Sequence, residues 1–303
     1  MRSFLGFAAL IAAGFALVAV LAYPVWLLVY PAFGFPFHRV ASRVGYLALA
    51  AGLYPLLKRL ALDNRTSLGY GLPRRAFTRE FLVALALGIG TMLPVVWIMR
   101  ALGIIAPNPD LQLSLPVVAA LALRGLVTGV AVSVGEETFT RGAMYSGIAR
   151  DSGPRTAIVL TAIVYAALHF LGKVRVPAQS VHWGSGLDWI AGSLQAFASP
   201  LGIADAFLAL AAVGVILGVV RRLTGHIAAC IGLHAGWVCV ITLLRETSAP
   251  NRASPHSWLL SDFDGVVGWL VLGWSLVIGT GIGLFYLRRA TGRAAPAQLG
   301  TNA

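Results

Sequence analysis

The sequence predicts an all-α fold, a polytopic transmembrane helix bundle of about eight spans, on three observations. Only 11% of the 303 residues are charged, 58% are hydrophobic, and the mean hydropathy is +0.82. A soluble domain carries roughly 25% charged residues, so a water-facing surface cannot be covered here and lipid must be the solvent. The apolar runs are near twenty residues and uninterrupted, whereas a membrane barrel alternates over segments of about ten. Finally, apart from a cluster between Lys58 and Arg79, the basic residues sit in ones to threes at the ends of those runs. Headgroup anchors and topology signals belong there. The net charge of +12 is accounted for in this way, and the expected partner is the bilayer, with no nucleic acid.

The first run, 4–30, follows Met1-Arg2-Ser3 as a signal peptide would, but it is much longer than a cleavable apolar region and reads as a retained helix. Runs at 40–60 and 81–105 come next. The stretch 107–123 holds Pro107, Pro109 and Pro116 and reads as a loop and interfacial segment. Spans at 124–149 and 156–170 follow. The loop 173–203 carries Trp183, Trp189 and Phe197, which fits an aromatic belt at one membrane surface. The last three spans are 204–220, 227–244 and 265–286, ahead of a polar tail after Arg293. Glycines at 214–218 and 279–283 read as small-residue packing faces. Cys230 and Cys239, nine residues apart in one run, lie about 13 Å apart on a helix and cannot pair. The chain divides into N-terminal helices at 1–117, a core at 118–244 and a C-terminal part at 245–303.

Assigning loops to alternate sides puts fourteen Lys and Arg on the side of both termini and eight on the other, with Arg141 inside a span. The positive-inside rule then makes this a multi-pass protein of the cell membrane with both termini in the cytoplasm.

Three places put ionisable groups inside a span: Glu136-Glu137 with Arg141, His169, and His234. A charge in the hydrocarbon core is costly, so each is a functional candidate. Glu136 lies fourteen residues from Arg150, His169 fourteen from Arg155, and His234 twelve from Arg222. At about 1.5 Å per residue the depths are roughly 21, 21 and 18 Å. Three helices thus present a carboxylate and two imidazoles at nearly one level. Arg124, roughly 18 Å beyond Glu136, reads as an outer-surface anchor. Glu137 and Arg141, four apart, face one another as an ion pair. Glu136, rotated by about 100°, is free to face a polar cavity. Glu136 is therefore assigned as general base and Glu137–Arg141 as a clamp; the alternative is that all three form a packing network. Tyr165 shares a face with His169, either as a hydroxyl donor or as core. Trp237 reads as lining, and His182 and His226 as interfacial.

These residues resemble the CPBP (CAAX protease and bacteriocin-processing, ABI) family of intramembrane proteases over roughly 118–244. The EExxxR motif is matched by Glu136-Glu137-Thr138-Phe139-Thr140-Arg141, followed by Gly142, and FxxxH by Tyr165-Ala166-Ala167-Leu168-His169 with tyrosine for phenylalanine. The third motif, a histidine with Asn or Asp four residues on, appears as His234-Ala235-Gly236-Trp237-Val238, with valine at its last position. The resemblance implies a helical intramembrane endopeptidase that cuts membrane-associated peptide or protein substrates. It implies water activated at Glu136, with His169 and His234 orienting that water or stabilising the oxyanion. Val238 departs from the pattern and removes one oxyanion donor.

If zinc is used, Glu136, His169 and His234 are its ligands, since two histidines and a carboxylate leave a fourth position for water. A metal-free glutamate mechanism is preferred, because no close His–His or His–Glu spacing ties two ligands to one helix. HExxH is missing, Gly184-Ser185-Gly186 lacks the earlier glycine of a rhomboid GxSG, and Asp262 and Asp264 lack GxGD. The rivals are a non-catalytic scaffold or immunity-type protein on the same fold, favoured by Val238, and a proton-coupled transporter. A transporter would show paired repeats, and no second Glu-Glu segment occurs.

Overall fold

In lipid, each backbone amide and carbonyl must find its partner within the protein, and the chain meets this demand with helices. The computed structural model describes residues 1–172 and 174–294; Lys173 of the charge count and the tail at 295–303 lie outside the described residues. The helices are α1 (Arg2–Phe33), α2 (Phe37–Arg59), α3 (Arg74–Ala101), α4 (Leu115–Glu137), α5 (Tyr145–His169), α6 (Ser185–Gln195), α7 (Pro200–Thr224), α8 (Ala228–Thr247) and α9 (Trp269–Ala294). A π-helical turn, Thr138–Met144, joins α4 to α5. Two short strands, β1 (Ile105–Pro107) and β2 (Ser248–Pro250), pair antiparallel with Ala106 opposite Ala249.

Among the described residues, seven helices are long and apolar enough to cross a membrane, and one of them, Leu115–His169, runs for 55 residues. At about 1.5 Å per residue that is over twice the roughly 30 Å of a hydrocarbon core. It is broken at Gly153, whose φ of 83° and ψ of 162° are not helical, with Pro154 next in line. The segment therefore goes across and returns, which makes eight crossings. The chain is an all-α multi-pass membrane protein.

Contacts at the two ends agree with this count. At one end the N-terminal amine donates to Ser152 Oγ (2.9 Å), Ser3 N–H to Asp151 (2.6 Å), Arg150 to the Leu60 carbonyl (2.7 Å), and Arg289 to Glu80 (2.8 Å). At the other end sit the β1–β2 pair, the Asn251 amide on the Gly103 carbonyl (2.9 Å), and Arg124 against Glu246 (3.1 Å). Reporter fusions after Arg79 and after Arg293 are expected to signal cytoplasm and one after Gln195 the opposite side. A cytoplasmic signal at Gln195 contradicts eight crossings.

Two sequence expectations are corrected. The segment 107–123 is only partly loop: α4 begins at Leu115, with Pro116 in its first turn. A proline there loses no hydrogen bond, because that N–H has no intrahelical acceptor. The loop 173–203 contains α6, which folds back on α1 and buries Trp189 beside Val18, Trp26 and Phe37. Phe197 packs on Phe170, with ring centroids 5.8 Å apart, so only Trp183 of the three belt aromatics points outward.

The centre of the bundle is α8, 67% buried over its most apolar window, against 44% or less for the other spans. Glycines let α3 and α4 approach it from two sides. A Cβ on Gly88 would lie 2.5 Å from the Leu233 carbonyl oxygen, and one on Gly129 2.5 Å from that of Ala235. His234, between these contacts, is held deep in the bundle. Cys230 and Cys239 are both buried and free.

Candidate active site

The first motif straddles the end of α4 and the π turn. A π turn shifts the register of the side chains that follow and is frequent at functional sites. Within it, Arg141 Nη1 donates to Glu137 Oε1 at 3.0 Å and to Thr140 Oγ1 at 2.9 Å, while Nη2 donates to the Gly214 carbonyl on α7 at 3.1 Å. Both side chains of the ion pair are 0% exposed. Two charges are tolerated there because each meets hydrogen-bonding partners as well as the other. The backbone of the turn is held too: Arg221, nearly buried on α7, donates its Nε to the Arg141 carbonyl at 3.0 Å and Nη2 to Ser146 Oγ at 3.3 Å.

Glu137 has a second task. Its Oε1 is 2.9 Å from His234 Nδ1. A carboxylate only accepts, so Nδ1 carries the hydrogen, and in the neutral ring the lone pair is left on Nε2. That Nε2 lies 3.9 Å from Glu136 Oε2. His169 is fixed by the same logic: its Nδ1 is 2.7 Å from the Tyr165 carbonyl oxygen, which again can only accept. Both imidazoles are thereby pinned with Nδ1 as donor and Nε2 available.

Tyr165 is the hub. The Arg141 guanidinium sits 4.6 Å from its ring centroid, a cation–π contact, and the His169 and His234 ring centroids are 4.4 and 5.9 Å away. Glu136 differs from its neighbour: its side chain is 38% exposed, yet Oε2 is buried with no hydrogen-bond partner. One glutamate is clamped and the other is open.

The six residues Glu136, Glu137, Arg141, Tyr165, His169 and His234 thus form one contiguous cluster, with His169 joined to it through Tyr165. Trp237 is not part of it, because its indole donates to Thr91 Oγ1 on α3 at 3.1 Å. His226 lies in the turn between α7 and α8, at a span boundary, and is buried. Val238 lies one turn after His234 on the same face, half-buried, and its side chain offers methyl groups only. Ser185 lies 2.8 Å from His182, with Asp188 3.9 Å beyond. However, Ser185 is fully buried and its Oγ accepts the His182 N–H in the first turn of α6, so it is a structural serine.

Sequence reasoning missed Thr140, Gly214 and Arg221. Arg221 stood in the sequence as one of two arginines ending a span, and nothing in that pattern separates a buried arginine from an anchor.

Zinc at Glu136, His169 and His234 requires three converging donors with a fourth position for water. His234 Nε2 and Glu136 Oε2 converge. Among the described residues, no group of three His, Cys, Asp or Glu side chains is placed to hold a metal ion. Among the described residues, these side chains do not assemble the three-ligand set.

Fold and cluster define a multi-pass membrane protein with a buried acid–imidazole centre. Residues 118–240, which include all six cluster residues, match the family model described as type II CAAX prenyl endopeptidase Rce1-like. Over that segment the chain is similar to the CAAX proteases, a family of intramembrane proteases. No curated protein and no solved structure matches the chain.

Proposed function

We propose that the protein is an intramembrane endopeptidase that hydrolyses peptide bonds of membrane-associated substrates with water activated by Glu136. The observation that carries this reading is the 3.9 Å separation of two unengaged atoms, Glu136 Oε2 and His234 Nε2. One water oxygen can lie within hydrogen-bond reach of both. Glu136 takes one water proton as the oxygen adds to the scissile carbonyl carbon. It returns that proton to the leaving nitrogen when the C–N bond breaks. His234 accepts the second water hydrogen at Nε2 and so aims the oxygen, its ring held by Glu137. His169, its ring held by the Tyr165 carbonyl, is the residue assigned to the oxyanion side of the site. The partly exposed Glu136 is the side of the cluster that a substrate can approach.

Val238 favours a second reading, a non-catalytic scaffold on the same fold, because losing one oxyanion donor costs roughly 10²–10³ in rate. One experiment separates the two. Purified protein and its Val238→Asn variant are incubated with membrane-protein fragments from the host, and new termini are read by mass spectrometry. Cleavage by both, faster in Val238→Asn by up to roughly 10²–10³, is expected. No cleavage by either leaves the scaffold reading.

A further inference from the structure

We propose that the seam between α3 and α9 is a binding site for an anionic phospholipid of the leaflet on the side of the N-terminus. The two helices are antiparallel neighbours: Arg289 Nη2 donates to Glu80 Oε1 at 2.8 Å, and three to four turns deeper Trp274 Nε1 donates to the Thr91 carbonyl at 2.7 Å. A groove lies along each helix. One, of about 500 Å³, is lined by Arg74, Arg75, Thr78, Arg79, Leu82 and Val83. The other, of about 480 Å³, is lined by Gly281, Leu284, Phe285, Arg288 and Arg289.

Arg79 of one groove and Arg288 of the other lie on the same side of the seam. Arg79 directly precedes Glu80, and Arg288 directly precedes Arg289, so each is rotated by about 100° from its contact residue in the same chain sense. In an antiparallel pair of right-handed helices, those two rotations bring both residues to one side. The grooves are basic at the interfacial end and apolar toward the membrane interior, where Leu82 and Leu284 are exposed. That is the polarity of a phospholipid, with its headgroup at the surface and its chains below it.

The charge is one-sided. Arg74, Arg75, Arg79, Arg288 and Arg289 stand against one local carboxylate, the buried Glu80. Arg79 is 3.7 Å from it, with its side chain 67% exposed, and Arg289 keeps a buried Nη1 with no hydrogen-bond partner. The other acidic residues in loops on this side are Asp63, which precedes α3, and Asp151, which is engaged by Ser3. Guanidinium groups suit bidentate phosphate contacts, and basic clusters beside a membrane surface attract acidic headgroups.

The test measures melting of the full chain in detergent, with added phosphatidylglycerol, phosphatidylcholine or inorganic phosphate. A ligand that binds only the folded state raises the melting temperature. Phosphatidylglycerol is expected to raise it by several degrees, and the other two to leave it unchanged. The triple variant Arg75→Gln/Arg79→Gln/Arg288→Gln should lose that rise. Arg155→Gln/Arg222→Gln, which removes exposed charge from the same membrane face, should keep it. A second triple variant, Arg75→Lys/Arg79→Lys/Arg288→Lys, keeps the charge and should retain most of the rise, which covers the case where the Gln variant does not fold. An equal rise with phosphatidylcholine or with inorganic phosphate would overturn the proposal. So would an equal loss in the Arg155/Arg222 variant.

Discussion

Glu137→Gln is expected to lower both stability and cleavage. The Glu137–Arg141 pair is fully buried, and Glu137 Oε1 is the acceptor for both Arg141 Nη1 and His234 Nδ1. The amide keeps the size and one acceptor oxygen but removes the charge opposite a guanidinium that has no water to fall back on. Breaking a buried pair from one side costs on the order of 3–5 kcal/mol at worst, and the remaining bonds to Thr140 and Gly214 offset part of that. The second change, Arg141→Gln, removes the lone charge, so Glu137→Gln/Arg141→Gln should recover part of the stability. It should not recover cleavage. Without a carboxylate at Nδ1, the tautomer and orientation of His234 are no longer fixed, and Arg141 no longer covers the Tyr165 ring. Melting in detergent and cleavage rate for the two single variants and the double variant check this. Recovery of cleavage together with stability would make the pair a packing element with no part in orienting His234.

Much of the cluster was legible in the sequence because it depends on local spacing and on depth. Glu137 and Arg141 are four apart and do pair. The common depth of Glu136, His169 and His234, counted from flanking arginines, matches helices that cross the same slab, and the three do lie in one cluster. The break between the two spans that hold Glu136 and His169 also falls where the polar stretch 150–155 suggested it, at Gly153.

What was not legible depends on pairing between helices. Glu137 reaches His234 across ninety-seven positions, and Arg221 holds the Arg141 carbonyl across eighty. No periodicity in either segment specifies such a partner. The sequence leaves Tyr165 as either a hydroxyl donor or core, and its contacts are made by the ring face and the backbone carbonyl. The π turn was hidden because its sequence, Thr138 to Met144, carries no glycine or proline pattern distinct from an α-helix that holds one glycine. The prolines of 107–123 misled in the other direction. Pro116 marks a helix start, and the composition of a first turn is hard to tell from that of a loop.

The most direct test of Glu136 as the base is the cleavage rate of Glu136→Gln beside its melting temperature, in the same detergent and on the same membrane-anchored peptide. Glutamine has nearly the same shape but cannot take a proton from water. Oε2 has no hydrogen-bond partner, so the exchange breaks no hydrogen bond at that atom. Loss of one member of a cooperative catalytic set costs several orders of magnitude, whereas the melting temperature should stay close to that of the unaltered protein or rise slightly, since a partly buried charge has gone. His169→Ala and His234→Ala should lose cleavage as well, with some loss of packing. A cleavage rate in Glu136→Gln equal to that of the unaltered protein would contradict a glutamate base at this position, whatever its stability.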